Sequence, residues 1–142
     1  MQVLADVEGI KRLKSRYFRH LDRHEWSALR ALFTDDATFD LEVPGGWVRF
    51  EEPATWLANL EALFTGGRTV HHGHTPDIEV DGDVASATWA MFDEVHPGPA
   101  ADRAPFRGYG HYEETYRRVD GAWRISSLRL SRLWVGDVVP DH

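Results

Sequence analysis

The sequence predicts one α+β domain, with N-terminal helices packed in a strongly curved, mostly antiparallel sheet. Three observations carry that expectation. Helical apolar spacing is confined to the first half of the chain, alternating patterns dominate the second, and two Asp-Gly turns each join a pair of long strands. The length of 142 residues suits a single domain spanning 1–142 with a substantial buried core.

The elements follow in order. Val7, Ile10, Leu13, Tyr17 and Leu21 recur at helical spacing from about residue 5, with Lys11, Lys14, Arg16 and Arg19 on other faces, so an amphipathic helix opens the chain. A shorter helix is expected over Glu25 to Phe33, where Trp26, Leu29 and Phe33 share a face and Thr34-Asp35-Asp36 ends it. Ala37 to Val43 alternates as a short strand until Pro44-Gly45-Gly46 breaks it. Pro53 suits the first turn of a third helix carrying Trp56, Leu57, Leu60, Leu63 and Phe64, with Gly66-Gly67 as its stop.

After Gly67 the pattern is β-structure. Arg68 to Val80 leads to the turn Asp81-Gly82-Asp83, and Val84 to Val95 returns with Ala85, Ala87, Trp89 and Met91 alternating. A second hairpin runs from Phe106 to Val119, turns at Asp120-Gly121, and returns through Trp123, Ile125 and Leu128 to Trp134. His96 to Pro105 holds three prolines and reads as a long exposed loop.

Composition excludes several functions. A net charge of -7 argues against a nucleic-acid partner, whose affinity would come from lysine and arginine. Without cysteine there is no disulfide framework, thiolate nucleophile or thiolate-bound metal, which is compatible with a reducing interior. Met1 to Lys11 lacks the basic start and apolar run of a signal peptide, and no stretch approaches ~20 apolar residues. The expectation is a cytoplasmic protein with no membrane partner.

Three segments carry a resemblance: YFRHLDRHEW from Tyr17 to Trp26, the following LFTDDATFD, and YRRVDGAW from Tyr116 to Trp123. They resemble the nuclear transport factor 2-like superfamily, particularly its SnoaL-like and scytalone dehydratase-like branches, over nearly the whole chain. The resemblance implies a cone-shaped α+β barrel around a small-molecule pocket. It is weaker for activity, because the superfamily holds dehydratases, isomerases, cyclases, epoxide hydrolases, dehydrochlorinases and non-catalytic members.

Asp22 draws attention independently, since it ends the first helix where the macrodipole disfavours a carboxylate. In the resembling dehydratases and the similar hexachlorocyclohexane dehydrochlorinase, an aspartate at this position orients a histidine base. The matching histidine is His71. Strand alternation puts His71 and His72 on opposite faces, so one of them points inward, and a one-residue bulge would reverse which. A dyad of this kind removes protons and needs no cofactor. His72 and His74 share strand parity and keep a third reading open, a metal-dependent enzyme.

Candidate substrate-binding residues are Tyr112, Arg129, Trp56, Trp89 and Glu94. Tyr112 aligns approximately with a substrate-binding asparagine of scytalone dehydratase, and Glu94 or His96 falls near that enzyme's second histidine. Arg129 shares parity with Trp123 and Ile125, provided no bulge intervenes, and would then hold an anionic group or developing charge. Tyr17 reads as a core aromatic. Leu21 and Leu41 stand where the fungal enzyme uses two tyrosines, which argues against scytalone as substrate.

The expected function is that of a cofactor-independent lyase or isomerase acting on a small, largely apolar or aromatic, polyketide-like molecule. A non-catalytic ligand-binding or subunit-interaction domain is the alternative. Leu128, Leu130 and Trp134 are expected on the outer sheet face, where a second copy would pack in a homo-oligomer, dimer or trimer.

Overall fold

The computed structural model describes residues 2–138. Helix α1 (Gln2–Asp22) and the short α2 (Trp26–Arg30) lead into strand β1 (Phe33–Val43). Strand β2 (Gly46–Phe50), helix α3 (Pro53–Phe64) and the hairpin β3 (Arg68–Asp81) with β4 (Val84–His96) follow. A 3-10 turn (Pro99–Ala101) then precedes the hairpin β5 (Phe106–Val119) with β6 (Ala122–Asp137). The six strands form one sheet in the order β2-β1-β6-β5-β4-β3. Every neighbour is antiparallel except β1 and β6, which run parallel.

Local chemistry accounts for most boundaries. Asp120 and Gly121 both take positive φ, 51° and 81°, as a two-residue hairpin turn compatible with strand twist requires. Pro53 opens α3, and its buried Trp56, Leu60 and Phe64 repeat every four residues, one stripe facing the sheet. Helix α1 buries Ile10, Leu13, Tyr17 and Leu21 in the same way. The shared core is aromatic: Phe39 stacks on Trp56 with centroids 4.2 Å apart, and Phe33 meets the Trp56 ring edge-on at 5.1 Å.

Four expectations change. The second helix is shorter than Glu25 to Phe33, because Phe33 is already the buried start of β1, pairing with Ile125. Within Pro44-Gly45-Gly46 the first two residues form a hairpin turn, and Gly46 to Phe50 return as β2 beside β1.

The other two corrections come from bulges in β6. Ser126 is extra between the pairs Tyr116↔Ile125 and Thr115↔Ser127, so side-chain parity flips there. Leu128 and Leu130 therefore join the core, 1% and 6% exposed, and cannot form an outer interface. Arg129 turns outward over the Trp47 ring at 4.3 Å, near Glu113 at 3.9 Å. Leu133 is extra in the same way, so Trp134 returns to the outer face.

A buried ion pair sits inside the core. Lys14 Nζ lies 2.7 Å from Glu114 Oε2 and 3.6 Å from the centroids of both the Tyr17 and Tyr112 rings. Tyr116 donates to Glu114 at 2.7 Å, and Trp89 Nε1 donates to the Tyr116 hydroxyl at 3.0 Å. Every charge here is thus bonded, the condition under which buried ions are tolerated.

Candidate active site

The C-terminus of α1 places the first functional group. Glu25 N–H bonds the His20 carbonyl at 2.9 Å and His24 N–H bonds that of Leu21 at 3.1 Å, with His24 in the left-handed region at φ 56°. The helix therefore stops just past Asp22. Its carboxylate sits at the negative end of the helix dipole, but three donors from β3 offset that penalty. Thr69 Oγ1 donates to Oδ1 at 3.0 Å, and His71 N–H donates to Oδ2 at 2.9 Å. The third is the His71 ring, whose Nδ1 lies 2.7 Å from Oδ1.

His71 is the inward member of the adjacent histidines, with its side chain 8% exposed. His72 and His74 lie on the outer face, rings 5.8 Å apart. Among the described residues no group of three or more His, Cys, Asp or Glu is arranged to hold a metal. Phe64 of α3 packs near both the His71 and His24 rings, each at 6.2 Å, and helps wall the dyad from solvent.

Two residues that sequence reasoning missed complete the site. His71 pairs across the strands with Asp93, which is 1% exposed and lies 4.0 Å from His71 Nε2. Asp93 is held by Arg132, whose Nη1 and Nη2 each donate at 2.9 Å to one carboxylate oxygen. Arg132 also donates from Nε to the Glu42 carbonyl, and from its backbone N–H to the Glu42 side chain, both at 2.7 Å. Gly108, opposite Asp93, leaves the space this needs, since a Cβ there would collide with the Arg132 guanidinium and the Asp93 carboxylate.

His71, Arg132 and Phe64 border a cavity of about 100 Å³ between the helices and the sheet, with Asp22 and Asp93 behind them. Leu21, Leu41, Leu60, Phe64, Val95 and Leu130 supply apolar wall, while Tyr17, Asn59, His71, Tyr112, Arg103 and Arg132 supply its polar groups. Tyr112 is 1% exposed, with the Tyr17 hydroxyl as neighbour to its own hydroxyl on the cavity wall. Burial pushes that hydroxyl well above its ordinary range, so it stays protonated and able to donate.

Of the residues expected at the site, the structure brings together Asp22, His71, Tyr112 and Trp56, and Tyr17 joins them on the cavity wall. Three stand elsewhere. Trp89 is a core side chain engaged with Tyr116. Glu94 faces outward and pairs with Arg107 and His96, so the inward acid is its neighbour Asp93. Arg129 is outside, and Arg132 is the cation within. The alternation Ala85, Ala87, Trp89, Met91 reaches Asp93 if continued, so that residue had a signal. Arg132 had none, because its inward aim depends on the bulge at Ser126.

No helix among the described residues is long and apolar enough to cross a membrane. A probable cyclase of Gibberella zeae is 29% identical over 136 residues, covering 88% of this chain and 89% of that protein. A protein of Novosphingobium aromaticivorans described as a candidate scytalone dehydratase superposes with a TM-score of 0.80 at 23% identity, covering 97% of this chain and 91% of its own. A hexachlorocyclohexane dehydrochlorinase of Novosphingobium barchaimii gives a TM-score of 0.76 at 19% identity over 97% of each chain. At those identities the two structures speak for the fold, a helix-filled cone. Residues 2–129 match the SnoaL-like domain, and the chain belongs to that family.

Proposed function

We propose that this protein is a cofactor-independent lyase or isomerase in which His71 abstracts a proton and Asp22 orients it. The observation that carries the reading is the 2.7 Å contact between His71 Nδ1 and Asp22 Oδ1 on the wall of an apolar cavity. With its Nδ1 hydrogen engaged by Asp22, a neutral His71 keeps its lone pair on Nε2. That nitrogen takes the proton from a carbon next to a carbonyl. The freed electron pair passes to the carbonyl oxygen as an enolate, then returns to expel a leaving group or closes a ring. The Asp22 carboxylate lies where the imidazolium charge forms, and the Tyr112 hydroxyl and Arg132 are the donors available to the enolate oxygen.

The apolar wall favours a small, largely apolar or aromatic, polyketide-like substrate, and the cyclase name of the Gibberella zeae relative agrees with ring-closing or water-losing chemistry. The test is to identify any molecule retained through purification by native mass spectrometry, then to assay its conversion by wild type and His71→Ala. Conversion unchanged by His71→Ala would remove the base from this scheme.

A second reading, a subunit-interaction domain without chemistry, draws on the cavity's size. About 100 Å³ is below the ~300–1,000 Å³ of typical ligand sites. Purification with no retained small molecule would favour it.

We also propose that the chain self-associates through its outer sheet face. His72, Phe92, Tyr109 and Trp134 lie in register across β3, β4, β5 and β6 as a row of rings, with centroid spacings of 6.1, 5.3 and 5.1 Å. This row takes the place of the Leu128 and Leu130 surface expected from parity.

A further inference from the structure

The cavity's charges do not cancel. Three side chains on its wall are cationic or can become so: His71, Arg132 and Arg103. His71 is matched by Asp22, and Arg132 by the buried Asp93 with further bonds to Glu42. Arg103 is different. It follows the 3-10 turn and Asp102, which takes the left-handed conformation at φ 49°, and its side chain is exposed at the cavity edge. Among the described residues it has no ion pair with any carboxylate.

From this imbalance we infer that Arg103 makes the site selective for small aromatic carboxylic acids. The inference rests on the cavity being the substrate site. The physical case has three parts. A guanidinium presents paired N–H donors in a fork that matches a carboxylate, and it stays charged at any working pH. Most of the cavity wall that Arg103 and His71 share is apolar, so one ligand can place a ring against Leu60, Phe64 and Val95 with its anionic group at Arg103. The small volume favours a single ring over an extended polycycle. An anion at the edge would leave the inner pairs intact, whereas an anion driven deep would compete with Asp93 for Arg132.

The experiment compares benzoate with benzamide, which has nearly the same shape without the charge. Binding is read by ¹H–¹⁵N chemical-shift titration of the full chain, following the backbone amides of His71 and Val95. Wild type should bind benzoate at least about threefold tighter than benzamide, the scale of a partly exposed ion pair. Added salt should shrink the preference. Arg103→Gln should abolish it and leave benzamide binding unchanged. Arg107→Gln, a change on the outer face, should retain it. The spectra themselves report whether each variant is folded.

Equal binding of the two ligands to the wild-type cavity, or a benzoate preference that survives Arg103→Gln, overturns the role of Arg103 and leaves the cavity reading standing. Failure of both ligands to shift His71 or Val95 up to their solubility limits overturns both.

Discussion

Asp22 grips His71 at two points, through ring Nδ1 at 2.7 Å and through the backbone N–H at 2.9 Å. One carboxylate therefore fixes both the ring orientation and the place of the strand that carries it. The contact spans 49 residues of sequence, so it ties the end of α1 to β3.

The dyad should behave as one unit in kinetics. Asp22→Asn preserves shape while removing the charge, and His71→Ala removes the proton acceptor. Each should lower turnover of a responsive substrate by about 100-fold or more, the usual scale of general-base catalysis, with the double mutant little worse. Rates for the four proteins, alongside thermal melts, make the comparison. Independent effects that multiply in the double mutant would separate the two residues.

Gly108→Ala tests the packing behind the base. The new methyl occupies space held by the Arg132–Asp93 pair, so the guanidinium must move and leave Asp93 buried without its partner. Overpacking and a broken buried pair together should destabilise the protein by about 2–4 kcal/mol. Urea unfolding provides the measurement. A change within about 0.5 kcal/mol, the range of an ordinary surface substitution, would mean that the pair is easily displaced.

What the sequence revealed and what it concealed divide along local against non-local causes. The α1 stripe ending at Asp22, the proline opening α3 and the two Asp-Gly turns all rest on neighbours in sequence, and each stands where the pattern put it. The inward aim of His71 followed from alignment and alternation together, and no bulge precedes it in β3. Beyond Ile125 alternation failed, because the bulges at Ser126 and Leu133 are set by pairing with β5 and by no residue type at those positions. One inserted residue exchanged Arg129 for an outward position and turned Leu128 and Leu130 into core. The resemblance points to Glu94 or His96, whereas strand parity with Trp89 and Met91 turns Asp93 inward.

Self-association through the outer aromatic row has a direct check. Trp134 is 60% exposed and stacks on Tyr109 at 5.1 Å, so it offers surface for a second copy. Trp134→Glu should convert an oligomer to a monomer without loss of fold, because no core contact is removed. Light scattering coupled to size-exclusion chromatography distinguishes the states. A monomeric wild type at micromolar concentration would eliminate this interface.

The last prediction concerns alkaline stability and follows from the buried Lys14–Glu114 cluster. Burial raises the hydroxyls of Tyr17, Tyr112 and Tyr116 well above the ordinary value of 10.0, with the Glu114 charge adding to the effect. Above pH 10 the unfolded chain releases three phenolic protons that the folded chain keeps, so these groups make stability fall as pH rises. Lys14 works in the opposite direction. Its burial, partly offset by Glu114, lowers it from 10.5 to about 8, so between those values the unfolded chain holds a proton that the folded chain has lost. That contribution makes stability rise with pH from about 8, below the range in which the tyrosines act, and it is complete by about pH 10.5. Stability should therefore rise by about 1.4 kcal/mol per pH unit from pH ~8 to ~10, where Lys14 acts alone, and then fall steeply, approaching ~4 kcal/mol per pH unit for three protons. Urea unfolding from pH ~8 to ~11 would trace the curve. Tyr116→Phe should reduce the steep slope by about a third, since one of the three titrating groups is gone. An unchanged slope in that variant would show that the decline comes from other groups.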